Sequence, residues 1–250
     1  MVARTGRPPG GMQGTALEIF GGLASSYERA LDVATLGQDR YWKRWVNDNA
    51  DIRASERVLD VGCGTCLLEE LVEGRGCRVV GLDLTERMIR IAQSKRVACV
   101  EALLVGDAES LPFPDDAFDV VLSCYVSKYV DLGRFAEEVA RVLRPGGRVV
   151  LYDFVRPSGP LSPLLRLYIH GALRIAGYLL RLVGSETALT LRNLPRIVEG
   201  ARWNEGIAAA FGGEGVQTLT CKTLSRGVVG AFSGRKADGV PMDVRAQLHA

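Results

Sequence analysis

The sequence predicts an α/β fold: a doubly wound, mostly parallel seven-stranded sheet with a helical cap inserted late in the chain. Three observations predict it. Between residues 58 and 154, short apolar runs at 58–61, 77–83, 99–105, 118–124 and 147–154 alternate with helical stretches at 66–74, 85–96 and 132–143, and such alternation builds a parallel sheet covered on both faces. The first run ends in a glycine turn, Val58-Leu59-Asp60-Val61-Gly62-Cys63-Gly64-Thr65, and nineteen residues after Gly64 an acid, Asp83, closes the second. This is the arrangement by which doubly wound folds hold an adenosine, the acid taking the ribose hydroxyls. The rhythm then changes to helix over about 156–212 before two further apolar runs, 216–221 and 227–232, which suit a terminal hairpin.

Taken in order, residues 1–14, with Arg4, Arg7, Pro8, Pro9, Gly10 and Gly11, lack an apolar signal core and any periodicity, so they read as a disordered tail. Residues 24–49 carry Tyr27, Leu31, Tyr41, Trp42, Trp45 and Val46 at helical spacing, broken at Gly37. They predict a helix pair over the ligand pocket. A single domain spans 15–236, and a loose polar tail follows at 237–250.

With 47% hydrophobic content the 250 residues bury one core, and Lys+Arg of 31 against Asp+Glu of 29 leaves a formal charge of only +2. That balance is not the footprint of a protein that tracks a nucleic-acid backbone, so no nucleic-acid partner is expected. No apolar run reaches the length of a membrane span. A cytoplasmic protein with room for peripheral membrane contact is expected, and nothing specifies an oligomeric state. The six cysteines form no secreted-domain framework, and most of them read as small buried hydrophobes. Cys63-Gly64-Thr65-Cys66 is formally a C-x-x-C, but without a second pair, and with both His170 and His249 far along the chain, no metal is expected. Cys77 and Cys99 begin neighbouring strands, and a disulfide between them is an open alternative.

The glycine turn discriminates among adenosine ligands. A dinucleotide turn reads G-x-G-x-x-G, whereas Leu67 stands at the third glycine position. Asp60, just before the glycines, would repel a pyrophosphate and attract a cation. S-adenosylmethionine, with an ammonium, a sulfonium and no phosphate, meets that requirement.

These residues resemble motif I of the class I, Rossmann-like methyltransferases, and depart from it at Cys66, where the family usually has glycine. Gly106-Asp107-Ala108-Glu109-Ser110-Leu111-Pro112-Phe113 matches the family's acid near the adenine amino group. Asp116-Ala117-Phe118-Asp119-Val120-Val121-Leu122-Ser123 matches its fourth strand, and Val142-Leu143-Arg144-Pro145-Gly146-Gly147-Arg148-Val149 the turn into the fifth. The resemblance implies S-adenosylmethionine as cofactor, held by Asp60, Gly62, Gly64, Asp83, Leu84, Asp107, Ala108 and Ser123.

Ser123-Cys124-Tyr125-Val126 lacks the (Asp/Asn)-Pro-Pro-(Tyr/Phe) clamp of amino-methylating DNA enzymes, and Cys124 lacks the preceding proline of cytosine C5 enzymes. The flanks are more specific. Phe20-Gly21-Gly22-Leu23-Ala24-Ser25-Ser26-Tyr27-Glu28-Arg29-Ala30, Arg40-Tyr41-Trp42-Lys43-Arg44, and Leu224-Ser225-Arg226-Gly227-Val228-Val229 with Gly234 and Lys236 are similar to the ubiquinone/menaquinone biosynthesis C-methyltransferases, over most of 20–236. Lys128-Tyr129 stands where that family shows an Arg-Asn pair, which keeps a cation and loses the amide.

In the insertion, Arg166, His170 and Arg174 recur every fourth residue on the otherwise apolar stretch 161–181. That stripe fits either a cap helix with a solvated basic face or a lid for an isoprenoid tail. The expected reaction is C-methylation of a small lipophilic aromatic, a quinone precursor. His170 is the candidate general base, with Asp153 as the alternative, and Lys128 the phenolate stabiliser. A small-molecule or phospholipid-headgroup N- or O-methyltransferase is the competing enzyme, and a catalytically silent binding protein the competing class.

Overall fold

A computed structural model describes residues 27–155, 162–167 and 203–238, together with Gly14, Leu17, Phe20, Ala24 and Gly171. Strands β1 (Arg57–Val61), β2 (Arg78–Asp83), β3 (Val100–Val105), β4 (Phe118–Cys124), β5 (Leu143–Phe154), β6 (Val216–Leu224) and β7 (Val229–Lys236) form one seven-stranded sheet in the order β3-β2-β1-β4-β5-β7-β6. The first five run parallel, and β7 lies antiparallel between β5 and β6. The described helices are α1 (Tyr27–Thr35), α2 (Asp39–Ala50), α3 (Glu69–Val72), α4 (Glu86–Lys95), α5 (Leu132–Val142), α6 (Ser162–Leu167) and α7 (Trp203–Gly213).

The pleat sorts each strand onto two faces. On β1, Val58 joins Trp42, Val46, Val120, Leu122 and Tyr152 under α2, while Leu59 and Val61 join Phe135, Val139, Ile207 and Phe211 under α5 and α7. Each such side chain contributes about 1.5–3 kcal/mol by leaving water. α2 is fastened at both ends. Asp39 accepts from Lys43 Nζ (2.5 Å), Tyr125 Oη (2.8 Å) and Tyr152 Oη (2.9 Å). Buried Arg148, on β5, donates to Ala50 O (2.8 Å) and Asp51 O (3.2 Å) and pairs with Glu56 at 2.6 Å. α5 begins at Asp131, whose side chain accepts from Arg134 N at 3.0 Å, a cap worth about 1 kcal/mol.

Several boundaries differ from the sequence-based expectation. The helix expected over 66–74 shrinks to Glu69–Val72 because Cys66 takes a left-handed φ of 63° that no helix tolerates. β5 starts before its Pro-Gly-Gly segment, since the ladder with β4 skips from Phe118↔Leu143 to Val120↔Arg148 and absorbs the extra residues as an irregularity. The helix pair breaks at Leu36 and Gly37, both with positive φ. Cys77 and Cys99 are free thiols; each instead makes a sulfur contact to an α3 carbonyl, Val72 O at 4.0 Å and Glu69 O at 3.6 Å. Of the expected insertion, α7 packs into the core through Ile207 and Phe211, and the exposed Leu164 and Leu167 lie on α6. The rest of the insertion, residues 1–13 and residues 239–250 lie outside the described residues.

Candidate active site

Strand order reverses between β1 and β4, since β2 and β3 extend to one side and β5 to the other. Ligands of open α/β sheets bind in the crevice at such a point, beyond the strands' C-terminal ends. A cavity lies there, with about 670 Å³ of empty volume including open solvent. The β1 turn forms one wall. Gly62 has φ 80°, and a Cβ there would lie 2.1 Å from Val126 Cγ2. Only glycine lets the turn pass this close to the loop after β4. Gly64, at φ 54°, donates its N–H to Asp83 Oδ2 at 3.0 Å.

Asp83 closes β2 and turns into the cavity, its Oδ1 accepting from Thr85 N at 2.7 Å. Burial raises its pKa, and the Thr85 and Gly64 N–H groups act against that rise. Leu84, Met88 and Ala108 supply an apolar wall, and Asp107 lies at the mouth of β3. Asp107 Oδ1 accepts from Glu109 N at 2.8 Å. The loop that follows is clamped by α5: Glu138 accepts from Leu111 N (2.5 Å), and Arg141 donates to Leu111 O (3.0 Å) and Phe113 O (2.8 Å) while pairing with Glu138.

Gly62, Gly64, Asp83, Leu84, Asp107 and Ala108 therefore converge on one cavity, which Cys124 also lines. Asp60 and Ser123 do not line it. Ser123 Oγ donates to Val61 O at 2.8 Å, which ties β4 to β1 beneath the turn. Asp60 shares the Val58 face of β1 and is buried beside Glu69. Burial first, and Glu69 second, push its carboxyl well above the usual carboxylate range. Cys66 is buried with Ala92 and Val97 and does not line the cavity.

Of the candidate catalytic residues, Lys128 and Asp153 meet in a buried ion pair behind the cavity wall. The Lys128 ammonium also lies 5.2 Å, 5.1 Å and 5.3 Å from the ring centroids of Tyr125, Tyr129 and Phe154. Burial lowers its pKa, and Asp153 opposes the shift. Asp153, 0% exposed, accepts from Ser127 Oγ, Lys128 N, Lys128 Nζ and Phe154 N. Those donors occupy a carboxylate's acceptor capacity. His170 lies outside the described residues.

Sequence reasoning missed Tyr129, having weighed its pair for the cation alone. Tyr129 lines the cavity, with its ring 5.6 Å from that of Phe20 between centroids, and its buried hydroxyl has no hydrogen-bond partner among the described residues. Burial, then Asp153, raises its pKa far above the usual phenol value. The signal was present in the sequence as a phenol where the resembled family carries an amide.

Among the described residues the cavity wall carries no basic side chain. That suits a nucleoside bearing a sulfonium and would leave a pyrophosphate without a counter-charge. On a sheet of this order, with an acid after each of β2 and β3 and a close glycine turn, the class is that of the S-adenosylmethionine-dependent methyltransferases, and the chain is such an enzyme.

Residues 59–151 match the family model described as a methyltransferase domain. The demethylmenaquinone methyltransferase of Tropheryma whipplei (strain Twist) is 35% identical over 219 residues, covering 85% of this chain and 87% of that protein. The ubiquinone/menaquinone biosynthesis C-methyltransferase UbiE of Yersinia pestis (strain Pestoides F) is 29% identical over 237 residues, covering 90% and 91%. Among solved structures, a SAM-dependent methyltransferase from Aquifex aeolicus superposes with a TM-score of 0.53 at 16% identity, covering 77% of this chain and 88% of that one. The chain belongs to the menaquinone/ubiquinone biosynthesis methyltransferase family.

Proposed function

We propose that this enzyme methylates a ring carbon of a lipophilic quinone precursor, as the names of its relatives indicate for them. The observation that carries the reading is Tyr129. A buried hydroxyl without a partner costs about 1–3 kcal/mol, which a substrate oxygen relieves. Phe20, Tyr27, Tyr125 and Val130 around it offer an aromatic, apolar berth.

S-adenosylmethionine supplies a methyl group on sulfur, open to in-line displacement. The chain's residues supply the rest. Asp83 holds the ribose hydroxyls and Asp107 the adenine side, while the Gly62–Gly64 backbone fits against the amino-acid portion. Tyr129 Oη hydrogen-bonds a ring hydroxyl of the acceptor, and the apolar wall excludes water. Lys128 keeps a positive charge behind the Tyr129 ring, which favours a phenolate-like acceptor. Asp153, its acceptor sites filled, positions Lys128, and His170 is the proposed base. Among the described residues no helix is long and apolar enough to cross a membrane. We place the enzyme in the cytoplasm at a membrane surface, with the 161–181 stretch as the contact.

The test supplies methyl-labelled S-adenosylmethionine with a naphthoquinol bearing an isoprenoid tail, its tailless analogue, or phosphatidylethanolamine. Carbon-bound label in the tailed quinol is expected, with Tyr129→Phe raising the acceptor KM and leaving cofactor affinity unchanged. Label on oxygen, or only in the phospholipid, overturns the assignment.

A further inference from the structure

We propose that Cys63, Cys66 and Glu69 form a buried three-ligand site for a zinc-like divalent cation beneath the cofactor turn. The inference is independent of the acceptor. It begins with a backbone anomaly, since Cys66 adopts a left-handed φ of 63°, a conformation strained for any residue with a Cβ. Glycine would hold it without strain and is what the resembled motif carries there.

The turn explains what the thiol meets. Cys66 N donates to Cys63 O at 3.0 Å, and this tight loop folds both side chains to one side, away from the cavity. The two sulfurs and a carboxylate oxygen of Glu69 all lie within 4.8 Å of one another. Two thiolates on a tetrahedral zinc, each about 2.3 Å from the metal, stand about 3.7 Å apart. Movements of about 1 Å or less close that gap, and C-x-x-C is a spacing that zinc sites use.

Charge points the same way. Glu69 is 1% exposed and Asp60 3%; among the described residues the Glu69 carboxylate oxygens and Asp60 Oδ1 have no donor beyond the facing carboxyl group and the Cys66 thiol. Other buried acids of the core have their cations, Asp39 in Lys43 and Asp153 in Lys128. Here two buried carboxyl groups lie together and, among the described residues, neither has an ion pair; a bound divalent cation would let them ionise. Asp60, against Glu69, takes the place of an outer partner that orients a ligating carboxylate. The absence of a second cysteine pair or a nearby histidine, which turned the sequence reading away from metal, is made good by Glu69, three residues beyond Cys66 in the sequence. Such a cation would brace both ends of the segment whose Gly64 N–H meets Asp83.

The test is a cobalt titration of the intact, reduced, metal-stripped protein, followed by zinc. One equivalent of cobalt should give a thiolate-to-metal charge-transfer band that zinc abolishes, and zinc should raise the melting temperature. Cys66→Gly relieves the backbone strain, so it should fold and yet lose the band and the zinc-dependent shift. Glu69→Gln should weaken cobalt binding roughly tenfold or more. No band in the parent protein overturns the proposal. So does an undiminished band in Cys66→Gly, which would move the metal to Cys77 and Cys99. A Cys63–Cys66 disulfide in protein isolated without reductant, together with reduced protein indifferent to cobalt, would assign the pair to redox chemistry instead.

Discussion

Replacing Gly62 with alanine separates two costs that the cofactor turn avoids. A residue with a Cβ held at φ 80° loses about 1–2 kcal/mol to backbone strain. The new methyl would also lie 2.1 Å from Val126 Cγ2, against an ordinary carbon contact of about 3.5–4.0 Å. Valine's χ1 is stiff, so that methyl cannot step aside without leaving its rotamer. Overpacking of this kind adds about 1–3 kcal/mol, and Gly62→Ala should lose about 2–5 kcal/mol of stability or of cofactor binding. Val126→Ala in the same chain removes the collision and leaves the strain, so the double variant should recover about 1–3 kcal/mol relative to Gly62→Ala. Urea denaturation and calorimetric titration with S-adenosylmethionine read both terms. A single variant within about 0.5 kcal/mol of the parent, or a double variant no better than the single, would refute the reasoning.

Asp83→Ala removes a charged acceptor and should weaken S-adenosylmethionine binding by about 1.5–3 kcal/mol; unchanged affinity by calorimetry, or tight binding of NAD by the parent, sinks the ribose assignment. Glu138, whose pKa is held down chiefly by its hydrogen bond from Arg141, contributes stability that is present above the unfolded value of about 4.3. That contribution is lost as pH falls through the lower native value, so Glu138→Gln should flatten the acid limb of stability against pH, and an unaltered limb contradicts the clamp. His170→Ala should lower turnover by at least about a hundredfold with cofactor affinity intact, and parental turnover would end its candidacy as base.

The sheet was legible because strands buried on both faces read as short apolar runs, and the cofactor wall because its glycines and acids recur at strand ends. What escaped depended on contacts between distant segments. Nothing local announces that Cys66 turns left-handed and cuts a helix short. Asp60 looked like a ligand residue from its place in a motif, yet strand alternation already set it on the Val58 face, away from Leu59 and Val61. Asp153 and Lys128 were visible as isolated charged residues. Only the packing of the β4 and β5 ends shows that they pair with one another behind the wall that Tyr129 lines.

The double fastening of α2 bears on how ligands come and go. With Asp39 tied to two tyrosines of β5 and its neighbouring loop, and Arg148 gripping the Ala50 end, α2 is a fixed doorpost. α1 hangs from it through Leu36 and Gly37, and a Cβ at Gly37 would meet nothing within 4 Å. Over the cofactor turn α1 is latched by Glu28, which receives Thr65 Oγ1 at 2.8 Å and Lys95 at 2.7 Å from a half-exposed position. A latch of part-buried polar contacts opens at smaller cost than a fully buried clamp. Glu28 is thus one tie over the crevice beside the buried Leu31 of α1, and the rate of ligand exchange should respond to ionic strength through it while the sheet beneath stays still.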